Sequence, residues 1–152
     1  MRTAAPALVA LLHGADAVLV ADLLSITLAG PGAVTLRYTS AESGVVTPDG
    51  RTFAAGLPFE ITVGLDVDTL TLTVFPESPR DALLGRPWPA AAADGVLDGA
   101  RVLLERAFWD AAAGFAAAPV GTLVQFGGRM GVVTPRRGEV VCEVKSELEL
   151  LT

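Results

Sequence analysis

The stretch that most constrains the fold is TLTLTV at residues 69–74, where three threonines alternate with two leucines and a valine. Successive side chains of a β-strand point to opposite faces of the sheet, so this alternation predicts a strand with one apolar face and one threonine face. A strand buried on both faces would instead be a continuous aliphatic run. The pattern therefore predicts a sheet whose second face meets solvent or a partner.

The segments before this strand repeat the alternation of strands and turns. Residues 18–28 and 33–40 predict two antiparallel strands joined by the Gly-Pro-Gly turn between them. The Pro-Asp-Gly sequence at 48–50 predicts a second, tight hairpin, because proline presets φ and glycine accepts a positive φ. The first half of the chain is thus predicted to consist of antiparallel hairpins.

Helical signals are short and few. Residues 6–13 predict a helix with proline in its first turn and Gly14 at its end. The alanine-rich residues 89–97 predict a second helix after Pro89. Residues 100–109 fit a helix or a strand, and their alternation favours a strand.

The last third of the chain returns to strands. Gly127 and Gly128 predict a bulge or a sharp bend, and residues 135–138 (PRRG) predict a hairpin turn. The predicted fold is a single domain over residues 1–152, mainly β, as a β-barrel or a sandwich with one or two short helices.

Composition excludes several classes of protein. With 51% hydrophobic and 18% charged residues, the 152-residue chain can bury a core and is not disordered. A net charge of −6 argues against general nucleic-acid binding, which needs a basic surface, but suits a surface past which nucleic acid slides. Polar residues interrupt every apolar run before it reaches 18 residues, so membrane insertion is not expected.

Candidate catalytic groups are sparse, which predicts a protein that is not an enzyme. Asp66 and Asp68 would share one strand face, as an acid–base or metal-binding pair requires, but no further ligands accompany them. His13 suits the C-terminus of the first helix, where a positive charge is favourable. Cys142 alternates with apolar residues and is predicted to be a buried small hydrophobe. No phosphate-binding loop or serine elbow occurs.

Two further features have alternative interpretations. Arg136 and Arg137 form a basic hairpin tip, which is either a solvated turn or a docking contact for an acidic neighbour. Trp88, between two prolines, fits a core position as well as an interface anchor.

Taken in order, these segments resemble the N-terminal region of the tail-hub proteins of long-tailed bacteriophages. The resemblance rests on the ordered set LRYT, a DG hairpin followed by FAAG, VDTL, LDGARVLLERAF, FGGRMGVV and CEVKSELELL. The family is also found in prophages and gene transfer agents, and the minor tail protein L of lambda-type phages is a relative. The similarity covers nearly all of the chain.

The resemblance implies a β-barrel related to the tail-tube fold and a structural role in the virion tail, assembled in the host cytoplasm. It implies a homotrimer that lies below the ring of distal tail protein and continues the DNA conduit toward the tip. In the family, a later cysteine-containing segment is thought to hold an iron–sulfur cluster. That cofactor cannot be assigned to any residue here, and it is expected only if the protein continues past Thr152.

Several residues are then predicted to contact other tail proteins. They are Glu42, Asp49, Asp66, Asp68, Trp88, Arg136 and Arg137. Two alternative functions stay open: a distal tail or tube-adaptor protein that forms a hexameric ring, and, more remotely, a cell-wall hydrolase at the tail tip.

Overall fold

A computed structural model of the chain describes residues 6–14, 17–30, 34–63, 69–76 and 82–146. Within these residues the mainly β fold predicted from the sequence is confirmed. The elements, in chain order, are α1 (Pro6–Gly14), β1 (Val18–Thr27), β2 (Thr35–Thr39), β3 (Val45–Val46), β4 (Thr52–Phe53), β5 (Phe59–Val63), β6 (Thr69–Val74), β7 (Ala82–Leu83), β8 (Arg86–Pro87), α2 (Trp88–Ala93), β9 (Arg101–Asp110), β10 (Gly121–Arg136) and β11 (Glu139–Ser146).

Seven of the strands form one antiparallel sheet that is curled into a half-barrel. Their order is β2-β1-β9-β10-β11-β6-β5, so β2 and β5 lie at the two edges. The strands β3 and β4 form a separate hairpin, as do β7 and β8.

The predicted hairpins and the strand at 100–109 are confirmed. The strands β1 and β2 pair antiparallel, and the Pro-Asp-Gly turn joins β3 to β4. The strand β9 pairs with β1 along its whole length, from Arg101 opposite Thr27 to Asp110 opposite Val18. Tertiary pairing thus decides the strand that local sequence left ambiguous.

The longest strand of the sheet is the 16-residue β10, which lies between β9 and β11. Its first half pairs with β9 and its second half with β11, and the change occurs around Gly127 and Gly128. A Cβ atom at Gly128 would lie 2.1 Å from the backbone oxygen of Lys145, which explains the glycine. Bulges occur on both sides, at Val124–Phe126 and Met130–Val133. The predicted bulge therefore lies beside the glycines and not at them, since Gly127 and Gly128 stay in register with Leu103 and Val102.

One face of the sheet carries the larger core, and we call it the apolar face. Alternate residues of β1, β9, β11 and β6 meet there beneath α2, and the predicted Leu70, Leu72 and Val74 stripe is fully buried in it. Cys142 is also buried there, as predicted, and burial raises the pKa of its thiol to about 12. Its sulfur therefore behaves as an apolar group.

The opposite face, the hairpin face, is covered by the β3–β4 hairpin. Val45 and Phe53 of this hairpin pack on Leu23 of β1 and on Ala107 and Trp109 of β9. Both parities of the second half of β1 are consequently buried.

Both predicted helices are present, and the second is shorter than predicted. It ends at Ala93 because Gly95, at φ +82°, adopts a left-handed conformation. The N–H of Gly95 donates to the oxygen of Ala92, and the N–H of Val96 donates to that of Ala91, each at 3.1 Å. This is a Schellman motif, which satisfies the last carbonyls and stops the helix before residue 97. Neither described helix is long and apolar enough to cross a membrane.

Candidate interface surfaces

The described residues contain no group of three or more His, Cys, Asp or Glu side chains that could hold a metal ion. Three surfaces are defined by charge or exposed apolar groups: the β3–β4 turn, the α1 surface and the basic tip between β10 and β11.

The β3–β4 turn is locked to the sheet by an ion pair. The guanidinium of Arg51 donates to both carboxylate oxygens of Glu105, at 2.5 and 3.1 Å, and Glu105 is 4% exposed. Thr122 donates a further hydrogen bond to Glu105, at 3.1 Å. The hydrogen bond to Glu105 raises the pKa of Arg51. Such a bidentate, buried pair fixes the position of the whole turn.

Asp49, one of the predicted contact residues, lies at the outer end of this network. Its side chain is 61% exposed, and it accepts hydrogen bonds from Thr47 and, at 2.9 Å, from Arg51. The hydrogen bond from Thr47, followed by the neighbouring Arg51, lowers the pKa of Asp49. Its carboxylate is thus charged, rigidly held and accessible, as a docking residue requires.

Glu42 is exposed in the segment that follows β2. It lines an open groove of about 430 Å³ together with residues of the β2 end and of the segment before β5, namely Thr39, Ser40, Ala41, Gly56, Leu57, Pro58 and Phe59. The structure therefore brings Glu42 and the edge strand β5 to one groove, whereas Asp49 belongs to the β3–β4 turn.

Trp88 is a core residue, which corrects its prediction as an interface contact. It is 1% exposed, begins α2 and lies in the apolar-face core with its ring 6.0 Å from that of Tyr38. The two flanking prolines end β8 and start the helix, and this turn directs the indole inward. A partner could reach it only if the fold opened.

Arg136 and Arg137 lie on the hairpin between β10 and β11, where the turn was predicted. Arg137 is in the turn and Arg136 is 62% exposed, with Glu139 at 3.6 Å. Their role as a docking tip stays a prediction. Asp66 and Asp68, the remaining predicted contacts, lie outside the described residues.

The sequence prediction missed an exposed apolar surface on α1. Leu8 is fully buried and packs on Gly121, whereas Val9 and Leu12 are each 43% exposed. Val20 of β1 is 50% exposed. It pairs with Phe108 of β9, and Phe108 pairs in turn with Gly121 of β10, so Val20 lies in the same cross-strand row as the glycine on which Leu8 packs. The signal was present in the sequence, because apolar residues surround the helix in ALVALL and one neighbour can cover only part of it.

An iron–sulfur cluster does not fit the residues of this chain. Such a cluster is held by several cysteine thiolates, and the sequence contains one cysteine. Cys142 is buried among aliphatic side chains of the apolar face, and its raised pKa disfavours the thiolate that a metal ligand needs.

Comparisons with known proteins agree with this picture. No curated protein matches the chain. Seven chains of solved structures match; one, from the virion of a native gene transfer agent particle, superposes with a TM-score of 0.58 at 18% identity. That alignment covers 97% of this chain but 46% of the other, so the chain spans less than half the length of that relative.

A family model described as baseplate hub protein, N-terminal attachment domain, matches residues 5–152. This match confirms the resemblance inferred from the ordered motifs. With nearly every residue included, the chain belongs to this family of baseplate hub attachment domains and is a structural component of a phage-like virion tail.

Proposed function

We propose that this domain forms a homotrimeric ring that attaches the hub to the distal tail ring and continues the DNA conduit toward the tip. The observation that carries the proposal is the match of residues 5–152 to a hub attachment domain. The fold supports it, since a sheet with exposed edge strands is suited to assembly.

The edge strand β5 and the exposed side of α1 are the ring contacts that we favour. Within the described part of the chain, β5 pairs only with β6, which leaves its outer edge available for strand addition. Val9 and Leu12 supply the apolar component that an interface needs at its centre. Glu42, close to β5, supplies a charge at the rim.

Electrostatics support a passive conduit. With 17 acidic and 11 basic side chains, the chain repels the DNA backbone more than it attracts it. Carboxylates at the lumen would keep ejecting DNA from adhering, since retention on a surface needs basic side chains that displace counterions.

Quantitative mass spectrometry of density-purified particles tests the proposal. About three copies per particle are expected from a trimeric hub. About six copies would favour the alternative of a distal tail or adaptor ring, and absence of the chain from particles would overturn both. Peptides that continue past Thr152 and contain cysteine would reopen the question of the iron–sulfur cluster.

A second experiment examines the predicted acidic contacts. Replacing Asp66 and Asp68 together by lysine should reduce tail formation if these two carboxylates dock on a neighbour. Normal tails from this variant would remove both residues from the interface. A cell-wall hydrolase assay with an Asp66→Asn control addresses the remote alternative, and no turnover is expected because an acid–base mechanism needs positioned partners.

A further inference from the structure

A polar cleft lies on the hairpin face, beside the ion pair of Arg51 and Glu105. Its floor consists of two rows of residues across β2, β1 and β9. One row is Arg37, Ser25 and Leu103, and the next is Thr35, Thr27 and Arg101. Directly paired residues of this kind have Cβ atoms about 4.5–5.5 Å apart.

The cleft has a volume of about 260 Å³ and is lined by three arginines, Arg37, Arg51 and Arg101, together with the three hydroxyl residues. Arg51 is neutralised by Glu105 and Asp49. Across the described residues, Arg37 and Arg101 have no carboxylate within ion-pair distance. A pocket with two uncompensated cations attracts an anion.

Two buried polar atoms at this cleft also lack a hydrogen-bond partner. They are the hydroxyl oxygen of Ser25, a residue that is 7% exposed, and Nε of Arg37. The hydroxyls of Thr27 and Thr35 satisfy each other at 3.1 Å. Leaving a buried donor unpaired costs free energy, which an incoming acceptor would recover. A hydroxyl donor beside a guanidinium donor is a combination that suits an oxyanion.

We propose that this cleft binds the carboxylate of an acidic side chain from a neighbouring protein subunit. Arg37 would pair with the carboxylate through its guanidinium, Ser25 would donate its hydroxyl, and Arg101 would neutralise the charge from the open side. The volume accommodates one acidic side chain rather than a helical backbone of phosphates. The identification of the neighbour as a tail protein rests on the proposed function above.

Titration of the 152-residue chain with sodium acetate, followed by amide chemical shifts, tests the cleft. Saturable shifts are expected at Ser25, Arg37 and Arg101. The variant Arg37→Gln with Arg101→Gln should weaken acetate binding at least about 10-fold, as expected for loss of charge-assisted hydrogen bonds. The matched control, Arg136→Gln with Arg137→Gln, removes the same charge at the distant tip and should bind as the wild type does.

A second variant supplies the carboxylate from within the chain. Leu103 adjoins Ser25 in the same row, so Leu103→Glu should place its carboxylate near Arg37 and abolish acetate binding. If the double arginine variant fails to fold, Leu103→Glu still tests the cleft, because it adds a carboxylate and leaves both arginines in place.

The outcomes separate the alternatives. Linear shifts without saturation, or equal weakening in the tip control, would overturn the cleft as a site. Unchanged acetate binding in Leu103→Glu would do the same. Tighter binding of a duplex oligonucleotide than of acetate at the same residues would show that the cleft binds a nucleic-acid phosphate and not a protein carboxylate.

The identity of the occupant is tested in particles. If it is a tail subunit, Arg37→Gln with Arg101→Gln should lower the copy number of the chain. Arg86→Gln with Lys145→Gln removes two exposed cations outside the cleft and outside the predicted contacts, and it should not lower the copy number. If the double arginine variant is incorporated into particles at the wild-type copy number, the carboxylate in the cleft does not come from a neighbouring tail subunit. Absence of the wild-type chain from particles would instead reject the proposed function and leave the acetate result standing.

Discussion

The two faces of the sheet are stabilised in different ways. The apolar face is a continuous cluster of aliphatic and aromatic side chains that includes Trp88 and Leu72. The hairpin face has a smaller apolar cluster and is held by the pair of Arg51 and Glu105. Burial of apolar area is non-directional and strong, whereas an ion pair adds geometric specificity at a small net free energy. The apolar face thus contributes most to maintaining the fold, and the hairpin face holds the charged groups that we propose for recognition.

The largest changes in the free energy of unfolding are expected when each of the two buried tryptophans is replaced by alanine in turn. Trp88→Ala should lower the free energy of unfolding by about 3–5 kcal/mol, because its cavity lies in a large, closely packed core. Trp109→Ala should cost about 2–3 kcal/mol, since the ring of Phe115, 4.8 Å away, can fill part of the space. Urea denaturation measures both. A larger loss for Trp109 would make the hairpin face the principal core.

The next largest effect on stability is expected at Gly128, where β10 passes close to the backbone of β11. Gly128→Ala should destabilise the chain by about 1–3 kcal/mol, because its Cβ would collide with the backbone oxygen of Lys145. Gly131→Ala is the matched control on the same strand, with its nearest contact at 3.7 Å from the oxygen of Glu143. Equal stability of the two variants, measured by thermal unfolding, would show that the stability of the fold does not depend on this close approach.

On the hairpin face, breaking the buried pair should have an intermediate effect. Glu105→Ala should cost about 2 kcal/mol, because it leaves the donors of Arg51 and Thr122 without their acceptor. Glu139→Ala breaks the exposed pair with Arg136 and should cost less than about 1 kcal/mol. If chemical denaturation gives equal losses, the buried pair contributes no more than a surface pair and the proposed contrast between faces fails.

The smallest effect concerns Asp49 and pH. Its pKa in the folded chain lies below the ordinary value of 3.8, so its contribution to stability is present above that value and is lost as pH falls through the folded pKa. Asp49→Asn should therefore cost less than about 1 kcal/mol at pH 7. The difference from the wild type should shrink on going from about pH 5 to about pH 2. A difference that is constant with pH would rule out an ionic origin.

The local pattern of the sequence was sufficient for the strands whose two faces differ in polarity. The alternation at Leu70, Leu72 and Val74 predicted which side is buried, because the side-chain period of a strand is two. Pro48 and Gly50 predicted the β3–β4 turn through their fixed and positive φ angles. The ordered motifs also identified the family.

Only the tertiary structure decided what lies on each side of the sheet. The alternation of residues 100–109 predicted a strand, but not that Arg51 would pair with Glu105, which lies 54 positions away in the sequence. Nor could it show that Ser25, Arg37 and Arg101 share one cleft, because their proximity depends on the register of three strands. The inward direction of Trp88 likewise follows from the packing of α2. Local spacing fixes which side of a strand a residue occupies, whereas long-range pairing fixes its neighbours.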